Sequence, residues 1–427
     1  MKRKYLYAVA LVLLFSCQKQ NLTNSEKALF DQKSYVIPLE EALAEMYDFF
    51  DELSPSKDKS KYRKEQKLTV TTIYFDKAKR KASAVQASKS GDSFDELLYV
   101  VNFDNNEGFA VLAADCRIPE TVIAIAEEGY FNPESLLIDY TNHSIDEELV
   151  DFEFYCPIED DYYVGVPNGY DFPGMLIHEY AVMQVVGGKE CDCGGGGSGT
   201  TIAPMLTEEM RDWDQHAPYN YFCKTMLGNQ APVGCVPLAL GMIMAHNGVP
   251  HNMAWGPYTA PWSSIREYQG YPPPPSSNVG NTLASMLSII GSASGTIYTQ
   301  NWGLALPQKA KNYLSSMPGY KNVAIHKSYK YDHTVTPKII NMLRNNKPVF
   351  VAAVGMIKIL GVWVVNPTDG HAWVIDGVQR STHFHCVWGW GAGDHNGLYA
   401  IGIFNPKYGN DPRDDFKRYF RVITYDL

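Results

Sequence analysis

The chain has 427 residues, 45% hydrophobic and 13% aromatic, which is enough for two ordinary domains with sizeable cores and too apolar for a wholly disordered protein. A formal charge of −10 excludes the clustered basic footprint by which nucleic acid, or an anionic membrane surface, would be recognised through charge. No stretch beyond the N-terminal segment is long and apolar enough to be read as a transmembrane helix.

Met1-Lys2-Arg3-Lys4 is a basic leader, and Tyr5 to Phe15 is an apolar run too short to span a bilayer comfortably. The run ends Leu14-Phe15-Ser16-Cys17 and turns polar at once, which resembles the lipobox of bacterial lipoproteins. The resemblance implies that residues 1–16 are a signal peptide, cleaved before an acylated Cys17. The mature chain is then exported and lipid-anchored in a bacterial envelope membrane, facing the periplasm or the cell surface. The alternative is an ordinary signal peptide in which Cys17 is incidental. The other seven cysteines are an odd set, so at least one thiol stays free if the rest pair internally. Cys191-Asp192-Cys193 is half of a metal-binding pattern with no matching Cys or His pair nearby, and no metal site is expected there.

Along the chain, the apolar rhythm from Leu39 to Phe50 predicts an amphipathic helix. A Lys- and Ser-rich stretch follows from Pro55 to Ser90. Three short strand-like runs come next, Leu98 to Phe103, Gly108 to Ala114 and Val122 to Ala126, separated by turn-forming residues. A helix packed on a small antiparallel sheet is an α+β unit. Between Gly187 and Gly199 seven of thirteen residues are glycine, and Gly194-Gly195-Gly196-Gly197-Ser198-Gly199 has almost no side chains with which to build a core. Such a run reads as a flexible connector and an accessible cleavage region, dividing the chain near residue 199. Tyr271 to Pro275, a short polyproline run, reads as a surface loop.

The second half holds the segments with chemical content. From Val236 to Ala245 the chain is apolar on every face, as in a core helix, with Pro237 tolerable only in the first turn and Gly248 and Pro250 marking the far end. Cys235 therefore sits at a helix N-terminus, where backbone N–H groups and the helix dipole are expected to lower the thiol's pKa. Asp369-Gly370 reads as a turn, followed by a strand with His371 at its mouth, and Phe384 to Gly391 reads as a further strand paired to it. A helix-borne Cys and a strand-borne His can act as nucleophile and base, the imidazole taking the thiol proton and returning it to a leaving amine. Upstream, Trp213-Asp214-Gln215-His216-Ala217-Pro218-Tyr219-Asn220 offers Gln215 as an oxyanion donor.

These segments, in order, resemble the streptopain family of papain-like bacterial cysteine peptidases. They are Trp-x-Gln-x-x-Pro-Tyr-Asn, Gly-Cys-Val before an Ile-Met helix, Gly-His-Ala-x-Val-x-Asp-Gly, and Trp-Gly-Trp-Gly. Tyr99 to Phe103 with Gly108 to Asp115 is similar to that family's inhibitory prosegment. The resemblance implies an α+β fold: a papain-like catalytic domain over 200–427, with a helical half and an antiparallel sheet half. A smaller α+β prosegment over 17–199 precedes it. Cys235 would be nucleophile, His371 general base and acid, Gln215 oxyanion donor, and Trp388 the indole that orients the histidine. The enzyme would be a cysteine endopeptidase made as a zymogen, working through an acyl-enzyme on protein or peptide substrates, with its own prosegment as intramolecular inhibitor. It would need no cofactor.

One departure matters: the family carries Asn before that tryptophan, and here it is Val387, which has no hydrogen-bonding group. His371 must then be oriented by packing, by a backbone carbonyl or by another side chain, and weakened catalysis is expected. Two rival readings remain. His371, His383, His385 and His395 could form a metal site, although no carboxylate or Cys pair stands at zinc spacing. Alternatively, the protein is a weakened or inactive peptidase-fold lipoprotein that acts by binding.

Overall fold

A computed structural model describes residues 35–53, 67–77, 81–83, 94–118, 120–126, 129–133, 153–155, 162–164, 199–251, 253–359, 362–392, 395–404, 416 and 418–427. The helices are α1 (Leu39–Leu53), α2 (Glu208–Arg211), α3 (Cys235–Asn247), α4 (Trp262–Arg266), α5 (Asn278–Ala293), α6 (Pro307–Ser316) and α7 (Thr336–Arg344). In the first half the strands are β1 (Leu68–Asp76), β2 (Lys81–Ser83), β3 (Phe94–Phe103), β4 (Phe109–Ala113), β5 (Val122–Ala126), β6 (Glu153–Tyr155) and β7 (Tyr162–Val164). The second half adds β8 (Ile297–Tyr298), β9 (Gly303–Leu304), β10 (Lys321–Lys330), β11 (Val349–Ile359), β12 (Val362–Gln379), β13 (His383–Val387), β14 (Gly397–Ala400) and β15 (Arg418–Asp426). The fold is α+β. The Gly-rich run and Cys17 lie outside the described residues.

In the first half, α1 forms because Ala42, Met46, Phe49 and Phe50 recur at helical spacing and all four are buried. They pack on Tyr99, Val101, Ala110, Leu112, Val122 and Ile125 of the sheet, in a core that also takes in Leu398 from the second half. The three strands expected here are β3, β4 and β5. The sequence reading missed β1, whose Leu68-Thr-Val-Thr-Thr-Ile-Tyr-Phe-Asp76 is rich in β-branched and aromatic residues inside the Lys- and Ser-rich stretch. It pairs antiparallel with β3, Val70 opposite Val101.

The sheet does not end with the first half. Its order is β10-β15-β11-β12-β13-β14-β5-β4-β3-β1-β2, antiparallel throughout, and β14 pairs β5 directly with Gly397 opposite Ala126. Gly397 is required there, because a Cβ would fall 2.1 Å from the Ile125 carbonyl oxygen. Around this seam His383 Nε2–H donates to the Val122 carbonyl at 2.6 Å, and its ring meets Phe49 edge-on. Arg380 lies over the Phe49 ring and bonds Glu45 at 3.1 Å, while Gln379 donates to the Phe49 carbonyl.

In the second half α3 is the central helix, with Val236 to Ala245 all buried. Gly241 lets α5 approach, since a Cβ would stand 2.5 Å from Leu287 Cδ2. The helix ends on Gly248 in the left-handed conformation, as the sequence implied. Tyr271 is exposed, in keeping with a surface polyproline loop.

Two expectations are corrected. No turn stands at Asp369-Gly370: β12 runs through it and pairs back along β11, with Ala353 opposite His371 and Val354 opposite Gly370. His371 is therefore inside a strand and not at its mouth. The second strand, β13, stops at Val387, because Gly389 (φ +74°) and Gly391 (φ +95°) turn the backbone out of the ladder.

Residues 200–206 form a strap along β12. Thr200 N–H donates to Ser381 Oγ, Ile202 exchanges two backbone bonds with Val378, and Met205 N–H donates to the Asp376 carbonyl. Asp376 Oδ2 accepts from Leu206 N–H, while Oδ1 holds His385 Nδ1 at 2.5 Å, both side chains fully buried.

Burial pushes the His383 pKa down to about 4, so the ring is neutral in the folded protein at pH 7. The unfolded chain, with histidine near 6.5, binds the extra proton first. The stabilisation is present above about 6.5 and is lost as pH falls through about 4. Chemical denaturation across that window should show stability declining with acidity, and His383→Gln should flatten the slope.

Candidate active site

Cys235 opens α3, as expected, behind Gly234 at φ +89°. A side chain at residue 234 would be strained by that backbone and would also meet the Gly303 carbonyl oxygen at 2.9 Å. The β8–β9 hairpin thus presses directly on the start of the helix. The backbone N–H groups of Ala372, Val236 and Cys235 itself lie near enough to the thiol to favour its thiolate form. Ala372 follows His371 in β12, so the structure brings the candidate nucleophile and the candidate base to adjacent positions across the α3–β12 contact.

Three free thiols stand among the described residues, Cys223, Cys235 and Cys386, and Cys235 alone of them is not fully buried. Burial pushes Cys223 up to about 11 and Cys386 well above its ordinary range. The Cys235 thiol is also raised, burial being the largest cause, while the three N–H groups pull the other way. This corrects the expectation of a lowered pKa: in the full-length chain the desolvation of the thiolate outweighs the helix N-terminus.

His371 is buried among Trp373, Trp388, Trp390 and Phe416. Trp390 is the nearest, its ring centroid 4.5 Å away, against 6.1 Å for Trp388. The sequence reading named Trp388 and passed over Trp390, although the second Trp of Trp-Gly-Trp-Gly was the available signal. Trp388 contributes more through its backbone. His371 Nε2 lies 2.8 Å from the Trp388 carbonyl oxygen. A carbonyl only accepts, so Nε2 carries the proton and the neutral ring keeps its lone pair on Nδ1. Val387, buried and paired with Val374 in the sheet, takes no part. Of the three ways to orient the imidazole without the family's Asn, the chain uses a backbone carbonyl.

Gln215 is half-buried, and its carbonyl accepts from Val233 N–H at 2.7 Å, two residues before Cys235. Its neighbour Asp214 lies against Gly391, where a Cβ would come within 3.2 Å of Oδ2. The segment holding Gln215 is therefore laced both to the approach to the nucleophile and to the tryptophan loop.

His383 and His385 are held separately. His383 bonds Thr382 and Val122, and His385 bonds Asp376. Among the described residues no group of three or more His, Cys, Asp or Glu side chains could hold a metal ion.

Comparison with known proteins bears on the same segments. A family described as the peptidase C10 family matches residues 213–399, a span that begins at Trp213 and takes in Cys235, His371 and Trp388. The chain is a cysteine-type endopeptidase, similar over that span to the peptidase C10 family. Streptopain of Streptococcus pyogenes is 22% identical over 340 residues, covering 72% of this chain and 75% of that protein. A thiol protease/hemagglutinin of Porphyromonas gingivalis is 24% identical over 346 residues, 74% of this chain and 35% of the other. Among solved structures, a prointerpain A fragment from Prevotella intermedia aligns over 77% of this chain and 95% of its own, at 17% identity and a TM-score of 0.46. Active interpain A from the same organism aligns over 52% and 94%, at 20% identity and a TM-score of 0.40.

The raised thiol gives a pH expectation for the full-length chain. A neutral thiol is favoured, so the alkylation rate of Cys235 by iodoacetamide should reach half-maximum at a higher pH than a free cysteine, about 8.5. Mass-spectrometric quantification of the Cys235 peptide across pH checks this.

Proposed function

We propose that this peptidase is an exported precursor whose peptide-bond hydrolysis is carried out by a Cys235–His371 dyad. The observation that carries the reading is the Nε2–H bond to the Trp388 carbonyl, 2.8 Å long, beside a thiol held at the neighbouring residue. With Nε2 committed as a donor, Nδ1 takes the Cys235 proton as Sγ attacks the substrate carbonyl. The oxyanion that forms is received by the Cys235 N–H and the Gln215 amide. His371 then passes the proton to the leaving amine, the C–N bond breaks, and a thioester links the acyl group to Sγ. Water, deprotonated by the same imidazole, releases the acid and restores the thiol. The aromatic wall of Trp373, Trp388, Trp390 and Phe416 keeps the ring in plane and water away from it.

Val387 loses its force as an argument for weak catalysis or a binding-only protein, because the hydrogen bond it cannot make is made by the next residue's carbonyl. Substituting either dyad member should leave a folded protein without activity. Cys235→Ala and His371→Ala should each fall to background in a peptidyl-substrate assay, with melting temperatures near the parent's. Substantial turnover by either one would remove that residue from the dyad.

Residues up to about 199 act, in this reading, as an intramolecular inhibitor removed by cleavage, and Cys17 carries the lipid that tethers the exported chain. Cys116 is disulfide-bonded, in keeping with an oxidising compartment. The strap at 200–206 is hydrogen-bonded along β12 and does not offer the accessible backbone that proteases need, so the cut falls before Thr200. Mass spectrometry of the N-termini in a membrane fraction tests both points: an acylated Cys17 is expected on the precursor, and a start no later than Thr200 on the active form.

A further inference from the structure

The carbonyl that orients His371 is on a residue that has left the sheet. β13 ends at Val387, the ladder to β14 closes with Cys386 opposite Gly397, and Trp388 therefore has no strand partner for its own N–H. A side chain fills that place. Asn396, buried just before β14, accepts the Trp388 N–H on Oδ1 at 2.9 Å and donates from Nδ2 to the Arg211 carbonyl at 3.0 Å. The two ends of the amide are used for opposite purposes, so only a group with an acceptor and a donor at that spacing serves both.

We propose that Asn396 is a positioning residue for catalysis: it fixes Trp388 so that its carbonyl meets His371 Nε2, and it locks that loop to the Arg211–Gln215 segment on the oxyanion side. The proposal rests on His371 being the base. Asn396 touches no reacting atom. It holds the N–H side of Trp388, and Gly389, whose backbone at φ +74° packs on Leu238 of α3, holds the other side. The carbonyl between them is thereby aimed. Through Arg211 the same amide reaches the stretch that runs by Trp213 and Asp214 to Gln215, and Gly391 against Asp214 repeats the contact three residues on. One side chain thus sets the base, and the chain leading to the oxyanion donor, in a common frame.

The test is made on full-length protein matured by limited digestion with an added protease, with competent sites counted by an irreversible thiol-directed peptidyl inhibitor. Asn396→Leu removes donor and acceptor at nearly constant volume. Its kcat per titrated site should fall roughly 10- to 100-fold with KM within about two-fold, the scale of a displaced catalytic group. The acid limb of the kcat/KM profile should also move to lower pH, because an imidazolium that has lost its carbonyl acceptor gives up its proton sooner. Asn396→Asp keeps the acceptor for Trp388 N–H and loses the donor to Arg211, so a smaller fall in the same direction is expected. It carries the test alone should the leucine variant fail to fold. A purely structural role would lower the number of titrated sites and leave their kcat and pH limb unchanged, and that result overturns the proposal. His371→Ala is assayed alongside: if it is inactive while the Asn396 variants match the parent, positioning alone is wrong, and if it is active, the base assignment falls and the proposal with it.

Discussion

The backbone N–H of Ala372 lies near enough to the Cys235 thiol to favour its thiolate form, and Ala372 is covalently joined to His371. Every other feature of the site is organised around that contact between the first residue of a buried helix and the middle of a central strand. Because α3 is apolar on all faces, it can be held only by being enclosed, by α5 on one side and the sheet on the other, and its N-terminus then has no freedom to drift. Gly234 and Gly303 complete the restraint by letting two backbones meet where side chains could not stand. The strand is equally fixed, paired on both sides by β11 and β13. The candidate nucleophile and base are thus set by packing that carries no catalytic chemistry of its own.

Much of this was legible in the sequence, and the limits of legibility have physical reasons. The all-apolar run after Cys235, closed by Gly248, could only be an enclosed helix. Alternation and turn residues located β3, β4 and β5. β1 was passed over because its neighbours on both sides are rich in Lys and Ser, and composition hid a nine-residue β-branched run. The Asp369-Gly370 pair has the residues of a turn, yet β11 supplies a partner along the whole of β12, and tertiary pairing overrode local preference.

The acceptor for His371 was illegible for a different reason. A missing Asn is visible at Val387, but the replacement is a peptide carbonyl, and every residue has one. Nothing in residue type distinguishes the carbonyl of Trp388 from its neighbours; only the exit from the ladder at Gly389 and Gly391 aims it at the imidazole. Likewise Asn396 lies just before β14, a position where an amide is commonplace, and its meaning comes from the two partners the fold supplies. The helix N-terminus was read correctly, whereas its effect on the thiol was not, since the degree of enclosure is a property of the whole chain.

The seam between β14 and β5 has a consequence for solubility. β14 is four residues long, fully buried, and its outer edge is satisfied by β5 through Gly397, Leu398 and Tyr399. Departure of the first half would uncover that edge, together with Leu398, whose side chain lies in the core built by α1. An open strand edge with an apolar residue on it is a template for pairing with another chain. Its brevity limits the hazard, since so short a ladder gives an incoming strand few hydrogen bonds. While the first half is attached that edge stays covered, and without it only the shortness of β14 would limit such pairing.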